Sequence, residues 1–126
     1  MPFRKFTFAF VLSLASGFAV ALDVKPFSAQ ALETSQAGGK PVAVHFHAEW
    51  CPTCRAQAQV LDSLKGDKSL ELTVLVANYD TERDLKKQLG VRVQSTFVVF
   101  KGKKETARLA GDTAEAKIRA ALQSAL

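Results

Sequence analysis

Cys51 and Cys54 are the only thiols among 126 residues, and they stand three positions apart in the run Trp50-Cys51-Pro52-Thr53-Cys54. Pro52 suits the first position of a helix, where its missing N–H costs nothing. The residues before the motif read as a strand, so the pair stands where a strand turns into a helix. A sulfur there faces unsatisfied backbone N–H groups and the positive end of the helix dipole, and both favour thiolate over thiol. The i, i+3 spacing lets one sulfur reach the other and gives a dithiol that can close and reopen. Cys51, at the edge, is the expected exposed nucleophile. Cys54, one turn inside, is the expected resolving thiol. The chemistry is thiol–disulfide exchange: the Cys51 thiolate attacks a partner disulfide, then Cys54 attacks Cys51, releasing the reduced partner and leaving a Cys51–Cys54 bridge. The motif does not set the direction. By itself it also admits a structural bridge, or half of a zinc site for which only His45 and His47 lie near in sequence.

The surrounding pattern supplies the elements that must position this pair. Pro41-Val42-Ala43-Val44-His45-Phe46-His47 is an apolar, β-branched run and predicts a buried strand. A helix follows Cys51 as far as about Lys65, with Ala58, Leu61 and Leu64 along one face and Gly66 as its stop. Upstream, Ser28 is a candidate N-cap for a short helix ended by Gly38-Gly39. Downstream, Leu70 to Ala77 predicts a strand and Thr81 to Asp84 opens a short helix closed by Gly90. Thr96 to Phe100 predicts a strand, with a turn at Lys101-Gly102-Lys103 and a weakly alternating partner over 104–109. Asp112 with Glu115 three residues on predicts a capped last helix whose stripe is Ala114, Ile118, Ala121, Leu122 and Ala125. The order α-β-α-β-α-β-β-α predicts one α/β domain: a mixed sheet of about four strands, with a parallel crossover followed by a hairpin, flanked by helices.

Residues 1–21 have a different character. Arg4 and Lys5 precede an uncharged stretch from Phe6 to Leu22 that ends in Ala19-Val20-Ala21. A basic start, an apolar centre and a small-x-small site read as a secretory signal peptide cleaved after Ala21. The competing reading is an uncleaved anchor. Cleavage leaves residues 22–126 as the mature domain. Arg4 and Lys5 go with the leader, and the formal charge falls from +5 to +3. That charge needs no anionic partner, and no interleaving of aromatic and basic residues supports nucleic-acid binding. Two cysteines exclude both a disulfide-stapled miniprotein and a four-cysteine metal site.

The stretch Val42 to Cys54, with Ala48-Glu49-Trp50-Cys51-Pro52-Thr53-Cys54 at its end, resembles the thioredoxin family. So does Leu89 to Gly102, which is similar to the segment that precedes and forms that family's fourth strand. The resemblance spans most of residues 28–126 and implies a thioredoxin fold with redox chemistry at Cys51 and Cys54. It implies substrate contacts from Trp50, Pro52 and Thr53 and from the loop Gln94-Ser95-Thr96. Three positions depart from the pattern. Ser95 stands where the family usually has a cis-proline; a non-proline cis bond costs about 2.5–4 kcal/mol, which leaves trans and strained cis both open at Gln94–Ser95. His45 aligns with a buried Asp that helps take the resolving thiol's proton, a role an imidazole can fill; the Lys that accompanies that Asp is Val76 here. His47 takes an aromatic position on the same strand face as His45, so His45, His47, Cys51 and Cys54 form a candidate set for a soft metal such as Cu(I) or zinc. Arg55 is a candidate thiolate partner.

The expected function is reduction of disulfides in exported proteins, in the periplasm, by a monomer that needs no cofactor beyond its two cysteines. The chain lacks a large helical insertion and in that respect looks like the family's small reductases. The resemblance implies a membrane thiol transporter of the DsbD or CcdA type as electron donor. The alternatives are a thiol oxidase of the same fold and a copper-handling module.

Overall fold

The computed structural model describes residues 21–126. The leader assigned to residues 1–21 therefore lies, apart from Ala21, outside the described residues. The chain forms β1 (Asp23–Pro26), α1 (Ala29–Ala37), β2 (Pro41–His47), α2 (Pro52–Leu64), β3 (Thr73–Asn78), α3 (Arg83–Leu89), β4 (Thr96–Lys101), β5 (Lys104–Ala110) and α4 (Glu115–Gln123). One sheet runs β1-β3-β2-β4-β5. β3 is parallel to both β1 and β2, while β4 is antiparallel to β2 and to β5. Among the described residues no helix is long and apolar enough to cross a membrane.

The sheet has five strands where four were expected. The additional one, Asp-Val-Lys-Pro, is too short and polar to announce itself, and it is a strand only because β3 offers it a backbone edge. Asp23 N–H donates to Leu72 O at 3.1 Å and Phe27 N–H to Val76 O at 2.9 Å. The strand predicted from Leu70 begins at Thr73, because Leu72 N–H donates to Leu70 O at 2.9 Å and holds a tight turn there. The capping box predicted at Asp112 is not formed. The N-cap of α4 is Ala114, without a side-chain cap, and the Asp112 carboxylate lies 3.4 Å from Lys117 instead. Ser28 does cap α1, its hydroxyl accepting from Ala31 N–H at 3.0 Å.

Alternation along β2 sorts the core onto two faces. Val42, Val44 and Phe46 pack with Leu32, Leu75, Leu85 and Val98, under α1 and α3. Ala43 packs on the other face with Leu61, Leu64, Phe97, Ile118 and Leu122, under α2 and α4. His45 and His47 share the face of Ala43 and so lie under α2. The end of β2, the central strand, thus delivers the chain to the start of α2, at the end of the sheet where β4 also begins.

Candidate functional site

A turn carries β2 into α2, with Cys51 N–H donating to Ala48 O at 3.1 Å. Cys51 is the N-cap of α2, Pro52 follows at the first helical position, and the Cys51 sulfur accepts the Cys54 N–H at 3.2 Å. A cap normally uses Ser, Thr, Asp or Asn; here the capping atom is a thiol sulfur. Both cysteines are free thiols. Cys51 is 2% exposed and Cys54 is fully buried. The expected exposure of Cys51 is thus nearly absent, because the loop before β4 lies against the sulfurs.

That loop presents Ser95. Its hydroxyl oxygen is 3.2 Å from Cys51 Sγ and 3.0 Å from Cys54 Sγ. The Gln94–Ser95 peptide is trans, and Ser95 takes φ 60°, a left-handed conformation otherwise confined to glycines among the described residues. Three hydrogen bonds hold it there. Ser95 N–H donates to Phe46 O, and Ser95 O accepts from Gly111 N–H and from Gln57 Nε2, each at 3.0 Å.

The acidities of the two thiols move apart. Burial pushes the Cys51 thiol up, but hydrogen bonds from the Cys54 thiol, the Ser95 hydroxyl and the Cys54 and Thr53 amides outweigh it, and Cys51 ends below its ordinary value. Burial pushes the Cys54 thiol up, the Cys51 sulfur adds to this, and Ser95 only partly offsets it, so Cys54 ends above its ordinary value. One sulfur is the better thiolate and the other holds its proton.

Gln57 was not singled out in the sequence, yet it organises the buried side of the site. Its amide nitrogen donates to Ser95 O at 3.0 Å and to Asp112 O at 2.9 Å, which turns its oxygen toward His45 Nε2 at 2.8 Å. His45 must therefore donate from Nε2, leaving Nδ1 bare and without a partner. Burial lowers the His45 pKa to about 4, the Gln57 bond opposing and His47 reinforcing the shift. The ring is neutral at pH 7 and stacks on Phe97 at 4.2 Å. The residue expected to take the Cys54 proton has Gln57 as its hydrogen-bond partner, and no hydrogen bond joins it to either sulfur. The signal for Gln57 was present in the spacing, since Cys54, Gln57, Leu61 and Leu64 make one buried stripe of α2. A buried polar residue in such a stripe must find partners.

The remaining predicted residues are dispersed around this centre. His47 Nε2 lies 2.9 Å from Glu49. A cavity of about 200 Å³ beside the imidazoles is lined by Val24, His45, His47, Glu49, Asp62 and Val76, among others. The four-ligand metal set is not assembled: among the described residues no three His, Cys, Asp or Glu side chains come together to hold an ion. Arg55 is exposed, and its guanidinium donates to Glu49 O at 2.7 Å. Pro52 is exposed and Thr53 half-buried. Trp50 is 58% exposed with its indole N–H donating to Asp80 at 2.8 Å. Gln94 is half-buried, and the Thr96 hydroxyl donates to Val93 O at 2.8 Å.

The thioredoxin family model matches residues 22–124. A thioredoxin of Alicyclobacillus acidocaldarius subsp. acidocaldarius is 33% identical over 89 residues, 71% of this chain and 85% of that protein. A thioredoxin of Pseudomonas aeruginosa is 33% identical over 84 residues, 67% of this chain and 78% of that one. Among solved structures, Trxlp from Edwardsiella tarda EIB202 superposes with a TM-score of 0.75 at 33% identity, covering 79% of this chain and 98% of that one. A thioredoxin of Malassezia sympodialis shares the fold at 21% identity, with a TM-score of 0.68 over 85% of this chain and 95% of its own. A strand–turn–helix dithiol on a five-stranded mixed sheet, matched by the family model over residues 22–124 and by thioredoxins at 33% identity, places this chain in the thioredoxin family of thiol–disulfide oxidoreductases.

Proposed function

We propose that this protein reduces disulfides of exported proteins by dithiol–disulfide exchange, with Cys51 as nucleophile and Cys54 as resolving thiol. The observation that carries the reading is the capping of α2 by the Cys51 sulfur, which draws the thiolate to Cys51 while Cys54 keeps its proton. The Cys51 thiolate attacks one sulfur of the substrate disulfide, and the other leaves as thiolate. Cys54 then attacks Cys51, and the second substrate sulfur leaves. Two electrons pass to the substrate, and Cys51 and Cys54 end as a disulfide.

Trp50, next to Cys51 in the chain, and Val93, two residues before Ser95, are exposed and offer apolar surface to an unfolded or extended substrate. Pro52, Thr53, Gln94, Ser95 and Thr96 complete the rim. His45 serves as a positioning residue that keeps Gln57 on the Ser95 carbonyl. Export rests on Arg4 and Lys5, the apolar stretch after them and the Ala-Val-Ala site. Burial of Leu22 and the start of the family match at residue 22 support a domain that begins just after Ala21. In the periplasm the oxidised pair needs an electron source across the membrane, and a thiol transporter of the DsbD or CcdA type supplies it.

Reduction of insulin disulfides by the mature domain tests the exchange reading. Wild type accelerates insulin precipitation and Cys51→Ser does not; equal rates sink the reading. Acid trapping of thiols in intact cells tests the direction. A mostly reduced pair supports the reductase, and a mostly oxidised pair reassigns the protein as an oxidase.

A further inference from the structure

We infer that the Ser95 hydroxyl, which touches both cysteine sulfurs, is a catalytic proton relay from Cys54 to the departing substrate thiolate. This rests on the exchange reading and adds to it a group that touches both reacting atoms. A hydroxyl carries one proton to donate and lone pairs to accept. Standing 3.2 Å from Cys51 Sγ and 3.0 Å from Cys54 Sγ, it cannot donate to both at once. With the thiolate on Cys51, the Ser95 O–H donates to Cys51 Sγ; the Cys54 S–H, which in the reduced pair also faces Cys51, falls to Ser95 Oγ once Cys51 is tied up in the mixed disulfide.

The backbone makes this placement specific. Ser95 is 2% exposed and sits at φ 60°, where a non-glycine residue is strained. Its N–H and C=O are both bonded, the carbonyl twice. The main chain is held, and the side chain projects onto the sulfurs. Bulk water has little access to either sulfur, and in the mixed disulfide Cys51 can no longer take the Cys54 proton, which leaves Ser95 Oγ at 3.0 Å as the nearest acceptor, with the Phe46 carbonyl farther off at 4.0 Å.

In the mixed disulfide the Cys51 sulfur is no longer an anion, and the Ser95 O–H is freed from it. The resolution step then balances as follows. The Cys54 sulfur forms a bond to Cys51 Sγ, and the bond from Cys51 to the substrate sulfur breaks, its electron pair going to that sulfur. The Cys54 proton passes to Ser95 Oγ as the Ser95 proton passes to the departing thiolate. The products are the Cys51–Cys54 disulfide, the substrate thiol and an unchanged serine. The reverse sequence serves oxidation.

The test removes the hydroxyl in two ways, Ser95→Gly and Ser95→Ala, in the mature domain. Glycine relieves the left-handed backbone and alanine does not, so a common effect belongs to the hydroxyl. The reduced protein is mixed with a dialkyl peptide disulfide, whose first thiol is released on attack by Cys51 and whose second, an alkyl thiol that takes up a proton at pH 7, is released on resolution by Cys54, both read by rapid acid quench. In both variants the second release slows at least about tenfold at pH 7. The pH profile of Cys51 alkylation moves to higher pH. In the wild type the second release also slows in D2O, because a proton moves in that step. An unchanged second release in both variants, an effect in Ser95→Ala alone, or no slowing of the wild type in D2O overturns the inference. If the wild type itself reacts no faster than Cys51→Ser, the exchange reading fails instead, whatever the Ser95 variants do.

Discussion

His45 shows how one buried group can make the molecule respond to pH. Its folded-state pKa of about 4 lies below the ordinary 6.5, because burial disfavours the imidazolium. Between those values the unfolded chain binds a proton that the folded one refuses. Stability from this residue is therefore fully present above pH 6.5 and is lost as pH falls toward 4, by on the order of 3 kcal/mol. Urea unfolding at pH 7 and at pH 4.5 measures the loss. In His45→Gln the decline over that interval is expected to be smaller by most of this amount, and an equal decline in both proteins rejects the assignment. At the same scale, Cys51 departs from the simple picture of an exposed nucleophile. Its sulfur caps a helix and touches a serine, so its readiness comes from hydrogen bonds rather than from solvent.

At the scale of elements, α2 is what joins the site into one body. Its buried stripe passes from Cys54 through Gln57 to Leu61 and Leu64. Gln57 reaches from there to β2 through His45, to the loop before β4 through Ser95 O, and to the segment before α4 through Asp112 O. Gln57→Leu keeps the volume roughly but strands the His45 N–H and removes a donor from two carbonyls. The buried His45 donor alone costs about 1–3 kcal/mol, and with the carbonyls the expected loss is roughly 2–4 kcal/mol. A denaturant midpoint that falls with unchanged slope is the expected result; an unmoved midpoint shows that the network contributes little. Because the same amide holds Ser95, this variant is also expected to slow exchange, whereas a Leu61→Ala cavity one turn on lowers stability first.

The whole molecule depends on a strand that carries none of the chemistry. β1 covers the edge of β3, pairing Asp23 to Pro26 with Thr73 to Val76, and Leu22 ahead of it is buried in the core. Without them β3 is an apolar edge open to pairing with other chains. A chain beginning at Leu22 is expected to be monomeric and fully stable. One beginning at Ser28 is expected to unfold at least several degrees lower and to self-associate. Burial of Leu22 alone is worth about 2 kcal/mol, and a shift of several degrees follows for a domain this small. Thermal unfolding with size-exclusion chromatography decides, and identical behaviour of the two chains refutes the role given to β1.

What the amino-acid order determined alone is whatever neighbours in sequence decide between themselves. The dithiol, its proline, the helix that starts there, the caps at Ser28 and Gly90 and the apolar run of β2 all depend on contacts within a few residues. The family resemblance lay in those same stretches. Only the tertiary structure decided the contacts across long separations. Ser95 meets sulfurs 44 and 41 positions away, and Gln57 meets Asp112 across 55. β1 is a strand by virtue of β3. His45 and His47 stay apart from the cysteines although all four lie within ten residues, because β2 turns the imidazoles under α2 while the chain turns the thiols out to its end. Local pattern records which face a side chain takes; it does not record what the opposite face will bring to meet it.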